Sequence, residues 1–248
     1  MKISIITVAF NSGNTIRQTI ESVLSQVNID KEYLIIDGKS KDCTIEIVDE
    51  YKSYIAKIIS EPDSGLYDAM NKGIQLATGD VIGILNSDDI FYDCNILSKV
   101  ASIFEDESID CVYGNIIYFK EDPDIPVRIW KTKPYSRGFF LKGEVPPHPS
   151  LFVRKRVYDK LGLYKINYKI AADQEFMLRM LMKNNCKSFF LNEFFVKMRL
   201  GGVSTRNFNS FIISTREIKQ AWNSNGFIYP FWLYLLRPWK KIAQVLKK

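Results

Sequence analysis

Over the first 86 residues, short apolar runs alternate with amphipathic stretches of helix length, and this limits the chain to few folds. ISIITVA (3–9) is continuously apolar and rich in β-branched residues, the pattern of a strand covered on both faces. Asn14 or Thr15 is placed to cap a helix reaching about Gln26, with Ile16, Ile20, Val23 and Leu24 on one face. EYLIID (32–37) reads as a second strand, CTIEIVDEYKSY (43–54) as a second helix and IAKIIS (55–60) as a third strand. LYDAMNKGIQLA (66–77) is a helix closed by Gly79, and DVIGILN (80–86) is a fourth strand. The alternation predicts an α/β fold with a mainly parallel central sheet flanked by helices and joined by right-handed crossovers.

Sheets of this kind bind ligands beyond the carboxyl ends of their strands. Those ends read Phe10-Asn11, Asp37-Gly38, Glu61-Pro62-Asp63 and Asn86-Ser87-Asp88-Asp89. Acidic groups at three ends of one edge concentrate negative charge and point to a metal or another cation. Each also has a local explanation. Asp37-Gly38 fits a turn after a strand, and Asp88-Asp89 fits a helix cap before FYDCNIL.

The second half is less regular. IDCVYGNIIYF (109–119) reads as a long strand, and PPHPSLFVRK (146–155) as a proline-rich loop running into another. The stretch 121–147, with five prolines, reads as a flexible excursion over the site. ADQEFMLRMLMKNN (172–185) has helical spacing, and the Asp at its start is an ordinary cap or dipole partner. From about 207 the pattern is helical and then aromatic, in GFIYPFWLYLLRPWKKIAQVLKK. Pro230, Pro238 and the short length argue against spanning a bilayer, and Lys240, Lys241, Lys247 and Lys248 follow without an acid after Glu217. The tail therefore suits either the interface of an anionic leaflet or a helix packed on the domain.

A net charge of +6 favours acidic partners such as nucleotides or anionic lipid. The basic residues are dispersed without a recognition motif, so nucleic acid is not an expected partner. Cys43, Cys94, Cys111 and Cys186 form no CxxC pair and His148 is the single histidine, which argues against a zinc site. TVAFNSGNT has no Lys or Arg, unlike the basic phosphate loop of a nucleotidyltransferase. The N-terminus has the pattern of no leader peptide, and no apolar run reaches the ~20 residues of a spanning helix. A reducing, cytoplasmic setting is the expectation.

Taken in order, TVAFN (7–11), DGKSKDCT (37–44), SGLYDAMNKGI (64–74), LNSDD (85–89), HPSLFVRK (148–155), ADQEFMLR (172–179) and RLGGVST (199–205) resemble the motif series of family 2 glycosyltransferases of the GT-A fold. The resemblance implies a catalytic domain over 1–205, with a nucleotide-sugar half (1–107) and an acceptor half (108–205), then a helical, aromatic and basic tail (206–248). It places Thr7, Ala9, Asn11 and Asp37 in a uridine pocket, where a carboxylate accepts from the imide N–H that cytosine lacks. It makes Asn71 and Gly73 an Asn-x-Gly turn near the nucleotide. Asp89 becomes the ligand of Mn²⁺ or Mg²⁺ and Asp88 a neighbour of ribose and metal, with Asn86 standing where the family usually has an acid. Asp173 becomes the base, ahead of Glu175, with Ala172 at the position of a second family acid. His148 is either a metal or acceptor contact or a structural residue.

The implied reaction is inverting transfer of galactose or glucose from a UDP-sugar to GlcNAc-diphosphoundecaprenol. The resemblance implies a β-1,3 linkage in lipopolysaccharide O-antigen synthesis, by a peripheral protein on the cytoplasmic leaflet of the inner membrane. Another UDP-sugar or linkage in capsule or exopolysaccharide synthesis, and a non-enzymatic membrane-bound nucleotide-binding scaffold, are the alternatives.

Overall fold

A computed structural model describes residues 1–201, 208–236 and 239. The strand–helix alternation is present: β1 (Lys2–Ala9), α1 (Ile16–Leu24), β2 (Asp30–Asp37), α2 (Thr44–Glu50), β3 (Lys57–Ser60), α3 (Leu66–Leu76) and β4 (Val81–Ile84). β1 is the hub. It pairs in parallel with β2 over its whole length and with β4 on its other side, and β2 carries β3. All four carboxyl ends therefore lie along one edge. Ile3, Ile5 and Ile6 of β1 are fully buried, as a strand covered on both faces requires. Helix α3 crosses β1 so closely that a Cβ on Gly73 would lie 2.4 Å from Ile6 Cγ2. Only glycine permits that approach.

Beyond β4 the sheet changes character. The later elements are β5 (Ile90–Phe91), α4 (Ile96–Ile103), β6 (Cys111–Phe119), β7 (Pro126–Trp130), β8 (Phe152–Arg154), α5 (Lys155–Leu161), α6 (Ala172–Met177), β9 (Ser188–Arg199) and α7 (Phe208–Ser224). Strand order is β3-β2-β1-β4-β8-β6-β9-β5, with β7 on β6. Four described pairings are parallel and four antiparallel, so the sheet is mixed rather than mainly parallel. β8 runs backwards between β4 and β6, joining the parallel half to the second half, and there β5 and β7 run antiparallel to β9 and β6.

Two further expectations need correction. The excursion 121–147 includes β7, paired antiparallel with β6, so part of it is sheet. No helix follows directly on Asp88-Asp89: β5 does, and α4 begins only at Ile96, which removes the cap reading. Helix α7 packs on the domain, one of the two readings of the tail. Ile218, Ala221 and Trp222, with Tyr229 and Leu233 beyond it, share one buried core with Phe176 and Leu178. No helix among the described residues is long and apolar enough to cross a membrane. Pro238, the terminal lysines 240, 241, 247 and 248, and positions 202–205 of the RLGGVST stretch lie outside the described residues.

Candidate active site

Three loops at the carboxyl edge are tied together by side chains that turn inward. Asn11 sits at φ 50°, beyond β1. Its N–H donates to Ser40 Oγ (2.7 Å), and its Oδ1 accepts from Lys41 N–H (2.9 Å). Ser40 Oγ in turn donates to Asp37, which also accepts from Ser40 N–H (3.0 Å) and Ser60 Oγ (2.6 Å). Asp37 is fully buried and its remaining lone pairs lie at the end of β2. Ser12 Oγ and Ser87 Oγ, 2.7 Å apart, link the β1 and β4 ends. Gly38 is needed here, because a Cβ would stand 2.9 Å from Asp63 Oδ2 and 3.2 Å from a ring carbon of Phe10. The Phe10 ring is 65% exposed beside Asp37, an aromatic face of the kind on which a flat base stacks.

Thr7 and Ala9 serve this edge from beneath. Thr7 is wholly buried and its hydroxyl accepts from the Tyr33 phenol (3.0 Å). Ala9, also buried, accepts from Gly38 N–H through its carbonyl (2.8 Å). Asn71 and Gly73 stand inside α3 rather than in a turn. Both ends of the Asn71 amide are spent on the Tyr164 backbone, donating to its carbonyl (2.8 Å) and accepting from its N–H (3.0 Å). That clamp joins α3 to the segment between α5 and α6.

The negative edge is less negative than the sequence suggests. Lys72 of α3 reaches Asp63 (2.7 Å) and Glu61 (2.9 Å), and those carboxylates raise its pKa, holding it as a cation. One of the two negative charges at this strand end is thereby offset without a metal.

Asp88 and Asp89 differ sharply. Asp89 is 0% exposed, accepts from Asn86 Nδ2 (3.1 Å) and Arg199 N–H (3.1 Å), and its carbonyl accepts from Thr19 Oγ1 (2.8 Å). Burial and then the charge of Asp88 push its pKa well up. Asp88 is partly exposed, so it is the carboxylate of the pair that opens outward. Buried Asn86 Oδ1 has no hydrogen-bond partner among the described residues. Two adjacent carboxylates and an orphaned amide oxygen form a hard-oxygen donor set that fits Mn²⁺ or Mg²⁺. No three His, Cys, Asp or Glu side chains gather as a metal-holding group among the described residues. Such a cation would therefore take most of its ligands from phosphate and water, and a preformed His148–Asp88–Asp89 set is absent.

His148 pairs with Tyr164. Its Nε2 lies 3.0 Å from Tyr164 Oη, and burial lowers its pKa while the Asp173 charge opposes that shift. Asp173, in the first turn of α6, lies 3.1 Å from Tyr67 Oη, whose single proton has a closer acceptor in the Ile170 carbonyl (2.6 Å). Burial and then the Asp173 charge push the Tyr67 phenol well up, so it stays protonated. Glu175 is excluded as a base by its surroundings. It is fully buried and bound by Lys165 (2.8 Å), Arg179 (2.9 Å) and Asn225 Nδ2 (3.1 Å).

One residue that pattern reading left unassigned holds this corner in place. Glu217 of α7, 8% exposed, accepts from the backbone N–H groups of Lys169 (2.7 Å), Ile170 (2.9 Å) and Ala171 (3.0 Å). Those three donors immediately precede α6 and Asp173.

The sequence model described as "Glycosyl transferase family 2" matches residues 4–162. An uncharacterized glycosyltransferase of Mycobacterium tuberculosis, Rv1514c, is 33% identical over 181 residues, covering 71% of this chain and 68% of that protein. Among solved structures, S. aureus TarS 1–349 superposes with a TM-score of 0.68 at 20% identity, over 89% of this chain and 65% of that one. Glucosyl-3-phosphoglycerate synthase of M. tuberculosis, in complex with Mn²⁺, UDP and phosphoglyceric acid, superposes at 0.65 with 16% identity, over 93% and 80%. This chain thus spans less than two thirds of that TarS chain, and the structural likenesses establish the GT-A fold. On the span and identity of the sequence matches, the chain belongs to glycosyltransferase family 2.

Proposed function

We propose that this protein is an inverting hexosyltransferase that moves galactose or glucose from a UDP-sugar to a polyprenyl-diphosphate-linked N-acetylglucosamine, forming a β-1,3 linkage in O-antigen synthesis. The observation that carries the reaction class is the division of carboxylates in one molecule. Asp88 and Asp89 close the nucleotide edge, while the partly exposed Asp173 stands on a different element beside Tyr67 and His148. The choice of sugar, acceptor and linkage rests on the order and kind of the sequence motifs.

In this reading the uracil stacks on Phe10 and its imide N–H donates to Asp37. Lys72 offsets one of the two charges of Glu61 and Asp63, so they repel the incoming diphosphate less. Asp88, with Asp89 and Asn86 behind it, would hold Mn²⁺ or Mg²⁺. When bound, that ion offsets charge on the departing diphosphate. Asp173 accepts the proton of the acceptor hydroxyl as that oxygen attacks the anomeric carbon. The new C–O bond forms as the bond to UDP breaks, and UDP leaves with the electron pair. Attack from the opposite face converts an α-linked donor into a β-linked product. Phe231, Trp232 and Leu235, exposed near the end of the described chain, support a peripheral position on the cytoplasmic leaflet, where a polyprenyl acceptor resides.

The test is to offer several UDP-sugars and the lipid-linked acceptor to the purified protein, with linkage analysis of the product. Transfer of a nucleotidyl group, or nucleotide binding without turnover, would overturn the reading in favour of a nucleotidyltransferase or a scaffold.

A further inference from the structure

Helix α7 has two working flanks. One carries Glu217, Ile218, Ala221 and Trp222 into the protein. The other, with Tyr234, borders an open groove of about 400 Å³ lined by Phe211, Ile212, Thr215, Arg216 and Lys219. Residues 211, 215 and 219 are spaced four apart, and 212, 216 and 219 follow beside them, so the lining forms one helical stripe. Phe211 and Ile212 are exposed although apolar, and Arg216 and Lys219 have no carboxylate partner among the described residues. The only acid of α7 is Glu217, and it is spent on the 169–171 backbone. Just beyond lie Ile228 (90% exposed), Phe231 (76%) and Leu235 (68%).

An apolar floor with two unbalanced cations at its side calls for an occupant that is both greasy and anionic. A second copy of the chain would bring like charges together across a two-fold contact, which disfavours self-association through this face. We propose that the groove seats one anionic glycerophospholipid of the bilayer, its phosphate between Arg216 and Lys219 and an acyl chain along Phe211, Ile212 and Tyr234. This rests on the peripheral-membrane reading above and deepens it by naming the lipid class and the residues that select it. The same helix that meets the leaflet on one flank fixes the backbone ahead of Asp173 on the other.

The test is flotation of the full chain with vesicles of phosphatidylcholine, with and without phosphatidylglycerol. The wild type should float with the anionic vesicles and much less with the neutral ones. Arg216→Gln with Lys219→Gln should weaken partitioning to anionic vesicles about 30-fold, the loss of two cations at a charged surface. Lys52→Gln with Lys57→Gln, an equal change of net charge on another exposed face, should weaken it far less. Ile212→Ser should weaken it without altering the preference for anionic lipid. All three should keep the wild-type Tm, since the replaced groups are exposed. If the 216/219 variant floats like the wild type, or no worse than the 52/57 variant, the groove proposal is overturned while the membrane reading stands. Failure of the wild type to float with either vesicle overturns both. A dimer in light scattering that Ile212→Ser converts to a monomer would identify the occupant as a second copy and overturn the lipid assignment.

Discussion

Replacing Glu217 tests how far a residue remote in sequence governs the catalytic corner. Its carboxylate collects three backbone N–H groups at 2.7, 2.9 and 3.0 Å. Glu217→Ala removes all three acceptors at once. Lys169 is exposed, so its N–H recovers a bond to water, whereas Ile170 is only partly exposed and Ala171 is buried. The loss therefore falls on two donors, each worth about 1.5–3 kcal/mol when its partner is charged. A cost of about 3–6 kcal/mol follows, against a global stability of roughly 5–15 kcal/mol. In a chain of this size each kcal/mol moves Tm by about 2–4 °C, so calorimetry should record a fall of roughly 6–24 °C. Glu217→Gln retains one acceptor oxygen and should lose about half as much. In the same preparations kcat should fall further than the unfolded fraction explains, because the 169–171 backbone leads directly into Asp173. UDP affinity, which the proposed reading assigns to Phe10 and Asp37, should hold. A Glu217→Ala protein with unchanged Tm and kcat would refute the argument.

Asp173→Asn keeps the size and helix position but cannot take a proton. Turnover should drop by about 10²–10⁴-fold with UDP binding intact, and near-normal turnover would move the base elsewhere. Chelation by EDTA should abolish transfer, and Asp88→Asn should raise the Mn²⁺ needed for half activity more than it alters Tm, as metal titration of the rate would show. Full activity in EDTA would end the metal reading. Gly73→Ala places a methyl 2.4 Å from Ile6 Cγ2, and overpacking of about 1–3 kcal/mol outweighs the gain of up to ~1 kcal/mol in helix propensity, so its Tm should fall. His148, its folded pKa depressed by burial, takes up its proton at lower pH than the unfolded chain. Its contribution therefore diminishes stability as pH drops below about 6.5, towards the folded pKa. His148→Gln should flatten that part of the urea-midpoint profile.

The first half of the fold was legible because each element shows its period clearly. β1 is apolar without interruption, and α1 repeats Ile16, Ile20 and Val23 toward the core. The second half was not, for two physical reasons. In β9, SFFLNEFFVKMR, the side chains alternate poorly because one register shift against β6 falls beside Gly114 and a second beside Asn115. In β7, a proline at the strand start looks like a loop, although an edge strand tolerates a missing donor there. The reversal at β8 is invisible in a three-residue strand, and it accounts for two of the four antiparallel pairings that make the sheet mixed.

For the site, sequence order marks which residues stand at the edge but not which of their atoms are already occupied. Asp88 and Asp89 are chemically identical in a sequence, yet Arg199 N–H, 110 positions away, and Asn86 take up Asp89 and leave Asp88 to face outward. Asn71 carries the right amide in the right motif, and both ends of it are spent on Tyr164. Lys72 showed only as the i+4 neighbour of Asp68, although its closest partners are Asp63 and Glu61 on a preceding loop. Glu217 carried no signal except that it is the last acid before an acid-free tail. A lone buried carboxylate in a basic C-terminal segment must find donors somewhere. The available donors were the unpaired N–H groups ahead of a helix that begins with Ala171-Ala172 and has no side-chain cap of its own. That missing cap is the sequence sign that α7 would return to the catalytic domain, and it makes the position of Asp173 depend on a helix that lies beyond the motifs of the family.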